Sequence, residues 1–209
     1  MKILVTAGPT REYIDPVRFI TNRSSGKMGY ALAEAAVKRG FETILVTGPV
    51  NLPPPAGATV VGVESALQMA AAVKRLAPEC DAVIMAAAVA DYRPVEVSEH
   101  KLKKQPGGLI LRLERTEDIL ASLGKMKRPG QLLVGFAAET DDLLANAKHK
   151  LESKDLDWIA ANRVADGFAS DTDKVTMLGR SGEVAELPLA PKLEVAEKIL
   201  EIIFGHRPE

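Results

Sequence analysis

The segment Leu4-Val-Thr-Ala-Gly-Pro-Thr10 and the loop that follows it, as far as Asn22-Arg-Ser-Ser-Gly-Lys-Met-Gly29, decide the fold. The largely apolar, β-branched run from Lys2 to Thr6 predicts a buried first strand. A helix with one apolar face is predicted from Tyr30 to Arg39, with Gly40 as its stop. About twenty residues separate the two elements, where a strand-to-helix turn usually needs two to six. Because parallel α/β sheets bind ligands at the C-terminal ends of their strands, this long loop is a candidate binding site.

The residues of this loop suit contact with an anion. Glycines let backbone N–H groups approach a ligand, serine hydroxyls lie at a helix N-terminus, and an asparagine amide and an arginine guanidinium add donors. These residues are Gly8, Gly26, Gly29, Ser24, Ser25, Asn22 and Arg18. A surface loop rich in turn residues explains the glycines alone equally well.

Two better-known phosphate-binding motifs are missing from the loop. A Walker A sequence would need glycine and then serine or threonine at the positions that Thr21 and Met28 occupy. The dinucleotide fingerprint G-x-G-x-x-G is also absent, and the second strand ends at Val46-Thr47-Gly48 without an acid to hold a ribose.

The composition limits the classes of protein to which this chain can belong. The chain has 209 residues, of which 46% are hydrophobic and 26% charged, so we expect a single domain over residues 1–209. A net charge of −1 gives no reason to expect nucleic acid or an anionic membrane as a partner. Cys80 is the only cysteine, which excludes an intrachain disulfide and a thiolate metal cluster. With neither a signal peptide nor a membrane-length apolar run in view, we expect a soluble, cytoplasmic protein.

The order of predicted elements is that of an α/β protein. Further strands are predicted at Glu42–Val46, Thr59–Val63, Asp81–Ala86, Leu132–Phe136 and Trp158–Ala161. Helices are predicted after Ser65, where Gln68 completes a capping box, and from Lys192 to Phe204. This alternation predicts a Rossmann-like, doubly wound and mostly parallel sheet. It is broken by a strand at Leu109–Leu113 and by a hairpin of Lys174–Leu178 with Val184–Leu187.

Two more ligand candidates follow predicted strands. The small residues of Met85-Ala-Ala-Ala-Val-Ala-Asp91 would let a base or ribose lie against the backbone, and Phe136 could stack on a base. Tight sheet–helix packing and a core phenylalanine are the alternative explanations for these residues.

Cationic residues form a third candidate. They lie at Lys101-Leu-Lys-Lys104 and at Lys150 and Lys154, which are spaced i, i+4. These charges suit a triphosphate, although a charge run can also simply be solvated.

Taken together, five motifs in order closely resemble the phosphopantothenoylcysteine synthetase family, the phosphopantothenate–cysteine ligases of coenzyme A synthesis. They are Ala7-Gly-Pro-Thr-Arg-Glu12, Asp15-Pro-Val-Arg-Phe-Ile-Thr-Asn22 with Ser24-Ser-Gly-Lys-Met-Gly29, Ala86-Ala-Ala-Val-Ala-Asp91, Lys101-x-Lys-Lys104 and Gly135-Phe-Ala-Ala-Glu-Thr140. The resemblance implies a CTP-dependent ligase. In that chemistry the 4′-phosphopantothenate carboxylate attacks the α-phosphate of CTP and releases pyrophosphate. The amine of cysteine then displaces CMP.

The resemblance also implies roles for individual residues. Asn22 and Lys101 correspond to catalytic residues, and Arg18 and Asn22 to phosphopantothenate contacts. The implied CTP contacts are Met85, Ala86, Ala87, Asp91, Lys101, Glu117, Asp118, Ile119, Leu120, Phe136, Lys150 and Lys154, to which we add Gly8 and Ser24 from the first loop. Glu117 departs from the family pattern, which has proline before Asp118-Ile119.

The family further implies three kinds of partner. Mg²⁺ accompanies the nucleotide, with ligands that the sequence does not identify. A homodimer forms, for which the extra strand and hairpin region is the expected interface. A phosphopantothenoylcysteine decarboxylase is fused to this domain in many bacteria, so a fused or separate decarboxylase is an expected partner.

Two other functions stay open at this point. An NAD(P)-dependent reductase on a similar sheet would need a dinucleotide turn and a Tyr-x-x-x-Lys pair, and Tyr13, Tyr30 and Tyr92 all lack lysine four residues on. A non-catalytic nucleotide-binding module would bind CTP without releasing pyrophosphate.

Overall fold

An eight-stranded sheet forms the centre of the computed structural model, which describes residues 1–104, 106–163 and 170–205. The described strands are β1 (Lys2–Ala7), β2 (Arg11–Tyr13), β3 (Phe19–Thr21), β4 (Glu42–Thr47), β5 (Thr59–Gly62), β6 (Ala82–Met85), β7 (Tyr92–Pro94), β8 (Leu113–Arg115), β9 (Leu132–Glu139), β10 (Trp158–Arg163), β11 (Thr172–Gly179) and β12 (Val184–Pro191). The described α-helices are α1 (Lys27–Lys38), α2 (Ala66–Leu76), α3 (Ile119–Met126), α4 (Leu143–Ser153) and α5 (Lys192–Phe204).

The strand order is β12-β11-β10-β9-β6-β1-β4-β5. Within this sheet, neighbouring strands are parallel across β10-β9-β6-β1-β4-β5. Strands β11 and β12 are added at one edge in antiparallel pairings. The order reverses beside β1, since β4 lies on one side of it and β6 on the other. This confirms the predicted doubly wound, mostly parallel α/β fold, and the switch point beside β1 is where such sheets bind ligands.

Helices cover both faces of the sheet, so its central strands are apolar on both sides. Ile3 and Val5 pack with α1 and α5, whereas Leu4 between them packs on the face that carries α2, α3 and α4. Adjacent residues of one strand point to opposite faces, which is why the continuous apolar run of β1 marks a strand buried on both sides. The predicted capping box of Ser65 with Gln68 is present at the start of α2.

The predicted strand at Leu109–Leu113 is wrong in position. The strand that forms is Leu113–Arg115, and its partner is Tyr92–Pro94 in a separate two-stranded sheet. The apolar residues before it carry no strand; Ile110 is 88% exposed and Leu109 64% exposed. An apolar run predicts a strand only when a sheet face is available to bury it, and the main sheet offers none here.

Two local details also differ from the sequence-based prediction. The first loop contains an unpredicted hairpin, in which β2 pairs with β3. Helix α1 begins at Lys27, earlier than the predicted Tyr30, because Gly26 adopts the left-handed conformation that starts it there. Within the described ranges no helix is both long and apolar enough to cross a membrane.

Candidate functional site

A cavity of about 590 Å³ lies at the C-terminal edge of the parallel strands. Segments from distant parts of the chain line it because the parallel strands that carry them end at the same edge of the sheet. The lining residues comprise the segments Ser24–Gly29, Met85–Tyr92 and Arg115–Leu120, together with Phe136, Ala138, Lys150, Lys154, Asn162, Asp173 and Lys192.

The small residues after β6 form one wall, and hydrogen bonds from the first loop hold that wall in place. The side chain of Thr6 accepts from the backbone N–H of Ala87 at 3.1 Å, and that of Thr10 accepts from Ala90 at 3.0 Å. Asn22 donates its amide N–H groups to the carbonyls of Ala88 at 3.1 Å and Val89 at 3.2 Å. Exposed Asn22 therefore contacts the wall from outside the cavity lining and positions its backbone.

The amino end of α1 forms a second wall. Gly26 precedes the helix with φ of 78°, and within the described chain no side chain caps the helix start. A Cβ on Gly29 would lie 2.5 Å from the Cβ of Ala7, so only glycine lets the helix start approach β1 this closely. Backbone N–H groups at a helix start, with the positive end of the helix dipole, attract anions.

Two lysines on the α4 side supply positive charge, and each is paired with a carboxylate. Lys150 bonds to Glu139 at 2.6 Å and Lys154 to Asp118 at 2.9 Å. Burial acts to raise the pKa of Asp118, but hydrogen bonds from Lys154 and from the backbone of Ala121 outweigh it and hold that pKa below its ordinary value. Each lysine thus has one carboxylate partner at this side of the cavity.

Glu117, at the position where the family has proline, also lines the cavity. Its carboxylate forms an ion pair with Lys74 and accepts from the hydroxyl of Ser122 at 2.6 Å. The Lys74 ammonium, followed by Ser122, lowers the pKa of Glu117. The glutamate therefore ties the start of α3 to α2.

Most of the predicted nucleotide contacts come together in this cavity. Those that line it are Ser24, Met85, Ala86, Ala87, Asp91, Glu117, Asp118, Ile119, Leu120, Phe136, Lys150 and Lys154. Four other predicted site residues, Gly8, Arg18, Asn22 and Lys101, are not among the lining residues. Gly8 is buried beside Val50 and Gly48, where its φ of +75° and the close packing both favour glycine.

Arg18 and the Lys101 segment are joined through a buried aspartate. Asp15, fully buried, accepts from the Arg18 guanidinium and from the backbone N–H of Leu102 at 3.1 Å. Arg18 in turn donates to the carbonyl of Leu102 at 2.8 Å. The Arg18 guanidinium, helped by backbone N–H donors, holds the pKa of Asp15 well below its usual range. The exposed Lys101 therefore begins a segment that is anchored at Leu102 beside Arg18.

Sequence reasoning did not select six polar residues that line the cavity: Lys27, Arg115, Thr116, Asn162, Asp173 and Lys192. Asn162 follows the predicted strand Trp158–Ala161, so the strand-end rule that selected Asp91 could have found it. Nothing local in the sequence identifies Asp173 or Lys192, which β11 and α5 bring to the cavity.

The sequence matches the family described as "DNA/pantothenate metabolism flavoprotein C-terminal domain" over residues 1–206. A relative from Bacillus subtilis (strain 168), "Coenzyme A biosynthesis bifunctional protein CoaBC", is 52% identical over 96% of this chain and 50% of its own length. A second relative, from an unknown prokaryotic organism, carries the name "Cysteine/Cysteine sulfinic acid decarboxylase" and is 47% identical over 97% of this chain and 58% of its own length. The chain spans little more than half the length of these curated relatives.

A solved structure covers the same region. It is described as the crystal structure of the C-terminal domain of coenzyme A biosynthesis bifunctional protein CoaBC. It is similar to this chain with a TM-score of 0.84 and 51% sequence identity, covering 97% of this chain and 93% of the solved one.

Proposed function

Because this chain belongs to the family of the DNA/pantothenate metabolism flavoprotein C-terminal domain, we propose that it is a phosphopantothenate–cysteine ligase. It joins 4′-phosphopantothenate to L-cysteine with CTP, through an acyl-cytidylate, and releases CMP and pyrophosphate. The observation that carries the proposal is one cavity in which the amino end of α1 and the Lys150–Lys154 pair face a wall of small residues. The chain's 51% identity to a solved C-terminal domain of a coenzyme A biosynthesis protein supports it.

The cavity suits a polyanionic nucleotide. Each ammonium has three N–H donors, so pairing of Lys150 with Glu139 and of Lys154 with Asp118 leaves donors for a phosphate. A triphosphate of charge near −4 competes well for these cations, since one ammonium about 4 Å from a phosphate oxygen gains roughly 4 kcal/mol at an effective dielectric near 20. The alanines after Met85 leave room for a flat base, and Phe136 lies in the same lining.

The proposed chemistry needs no protein nucleophile. A carboxylate oxygen of phosphopantothenate forms a bond to the α-phosphorus as the bond to pyrophosphate breaks. The neutral amine of cysteine then bonds to the acyl carbon as the bond from that carbon to the CMP oxygen breaks, and the nitrogen releases its proton to solvent. Placement and charge neutralisation carry such steps. Lys101 offsets the charge of the departing pyrophosphate, and Arg18, fixed by Asp15 beside Leu102, meets phosphopantothenate.

Asn22 affects the acyl-cytidylate indirectly. It holds in place the wall of small residues after β6, against which the acyl-cytidylate lies. Both of its amide hydrogens go to carbonyls of that wall, at Ala88 and Val89. An aspartate there would set a carboxylate against two carbonyl oxygens and displace the wall against which the acyl-cytidylate must be held for cysteine to attack. The second half-reaction should therefore be more sensitive to this position than the first.

Mg²⁺ is proposed to accompany the nucleotide. In the described ranges no group of three or more His, Cys, Asp or Glu side chains is placed to hold a metal ion by itself. Phosphate-bound Mg²⁺ needs only one or two protein carboxylates, and Asp91 and Asp118 line the cavity. These residues therefore fit a metal held mainly by phosphates, whose charge the ion would neutralise.

We propose a cytoplasmic homodimer, with the segment around β7 and β8 as its interface. This segment exposes a run of large apolar side chains, namely Tyr92, Val95, Val97, Leu109, Ile110, Leu111 and Leu113. An exposed apolar patch of this kind marks an interaction surface. A decarboxylase, fused or separate, is proposed as a further partner because the chain covers only about half of the bifunctional relatives.

One assay distinguishes this function from its alternatives. Purified protein is incubated with 4′-phosphopantothenate, cysteine and each nucleotide in turn, and both pyrophosphate and the amide product are measured. We expect stoichiometric release of pyrophosphate and amide with CTP. A protein that binds CTP without releasing pyrophosphate would be a nucleotide-binding module, and oxidation of NADPH without CTP would favour a reductase.

A further inference from the structure

The end of the cavity formed by β10, β11 and α5 contains two buried opposite charges that the roles above do not use. Asp173 is 2% exposed and Lys192 is 7% exposed, and both line the cavity with Asn162. Taking two charges out of water is unfavourable, so a buried pair of this kind is weak evidence for a role in stability. A ligand that carries one positive and one negative group would contact both of these side chains, which would give the buried pair a role in binding.

Neighbouring groups fix the orientation of the pair. Asn162 donates to both carboxylate oxygens of Asp173, at 3.0 and 3.1 Å. The ammonium of Lys192 donates to the carbonyl of Ser170 at 2.6 Å. Burial lowers the pKa of Lys192, while the nearby charge of Asp173 opposes this effect. The lysine ammonium is thus held by the Ser170 carbonyl and lies in the field of the Asp173 carboxylate.

A second lysine, Lys27, contributes to the charge at this end of the cavity. Lys27, in the first turn of α1, lines the cavity and forms an ion pair with Asp171. Asp171 and Lys192 are themselves linked, through the backbone N–H of Lys192 and the carbonyl of Asp171 at 3.0 Å. This end therefore carries two lysines, Lys27 and Lys192, and two aspartates, Asp171 and Asp173.

We propose that Asp173 and Lys192 bind the amino-acid substrate, with Asp173 receiving the ammonium group and Lys192 the α-carboxylate. This inference rests on the proposed ligase function, and it assigns the part of the same cavity that binds cysteine. A zwitterionic amino acid carries one ammonium and one carboxylate, and this end of the cavity offers a fixed carboxylate and a fixed ammonium to meet them. A polyphosphate has only negative charge, so the buried Asp173 carboxylate in the lining would repel it.

This placement also serves the second half-reaction. Asn162 lies in β10 opposite Ala138 of β9, and both line the cavity that the wall of small residues closes. An amino acid held there shares one enclosed space with the acyl-cytidylate. Holding two reactants in one orientation supplies much of the barrier reduction in such a transfer.

The test compares cysteine with cysteamine, which has the same amine and thiol but lacks the α-carboxylate. For Lys192→Met we expect the KM for cysteine to rise at least about 10-fold, the loss typical of a charge-assisted hydrogen bond. The KM for cysteamine should change little, so discrimination between the two amines collapses. Lys198→Met, on the exposed side of the same helix and paired with Glu201, is the matched control and should keep that discrimination.

A second variant tests the other charge and guards against a folding defect in the first. Asp173→Asn keeps the side-chain shape and should raise the KM for both amines, because both carry the ammonium group. Unchanged KM values for cysteine in both variants would overturn the proposal. So would a larger rise in the KM for CTP than for cysteine, since that would place the pair on the nucleotide.

Failure of the proposed function gives a different result. If the wild-type chain with phosphopantothenate and CTP releases no pyrophosphate in a single turnover, the ligase assignment fails. Calorimetric titration of the same protein with L-cysteine alone then decides the subsite. Heat of binding that is lost in Lys192→Met and retained in Lys198→Met supports it, and absence of binding to the wild-type protein overturns it.

Discussion

Replacing Gly29 with alanine tests whether the close approach of α1 to β1 builds the anion-binding wall. An alanine Cβ would lie 2.5 Å from the Cβ of Ala7 and 2.7 Å from the carbonyl oxygen of Thr6. Carbon atoms in contact prefer about 3.5–4.0 Å, so the helix start would have to move by about 1 Å.

The size of the effect follows from this displacement. Overpacking of this kind costs about 1–3 kcal/mol of unfolding free energy. A misplacement of about 1 Å at a site that works by positioning can lower the rate about 10²-fold. We therefore expect Gly29→Ala to be moderately less stable and about 100-fold slower in pyrophosphate release.

The matched control is Gly62→Ala. Gly62 lies in β5, where an added Cβ meets nothing within 4 Å, and it is not among the glycines with positive φ. Urea denaturation gives the unfolding free energy of both variants, and a pyrophosphate-release assay gives their rates. If Gly29→Ala equals Gly62→Ala in both stability and rate, the helix start is not fixed by that contact and the reasoning about this wall is wrong.

Four further predictions follow from the site and its surroundings. Lys101→Gln should form acyl-cytidylate about 10²–10³-fold more slowly, whereas Asn22→Asp should form it and release little amide; rapid-quench analysis showing the reverse would exchange the two roles. Binding of CTP should protect the chain from proteolysis near Lys104, because Lys101 is a proposed CTP contact, and equal cleavage with and without CTP would contradict that contact. Ile110→Glu should convert the dimer to a monomer by light scattering, and a wild-type protein that is monomeric at micromolar concentration with full activity would disprove the dimer. Asp15→Asn should lower stability at neutral pH and flatten the acid limb of the stability profile. Because the folded-state pKa of Asp15 is depressed, its contribution is present above the ordinary value of 3.8 and is lost as the pH falls through the folded-state pKa; an unchanged acid limb in the variant would refute this.

The local residue pattern was enough to predict most of the central sheet. The runs at Lys2–Thr6 and Trp158–Ala161 predict strands that the structure contains, since continuous apolar segments of that length must be buried on both faces. The same reasoning failed at Leu109–Leu113, where the apolar side chains stay exposed instead of joining a sheet. Periodicity reports which residues favour burial, but not what is available to bury them.

The sequence by itself also determined the site edge, because every parallel strand in such a fold ends at it and the small-residue segments follow those ends. Only the tertiary structure decided which charges meet there. The pairing of Lys150 with Glu139 and of Lys154 with Asp118 depends on how α4 packs beside β9 and α3. The grouping of Asn162, Asp173 and Lys192 depends on β11 turning back antiparallel and on α5 starting beside α1. Secondary-structure propensity reflects interactions between residues that are close in the chain. These charged contacts join residues that are far apart in the chain, so the packing of helices and strands decides them.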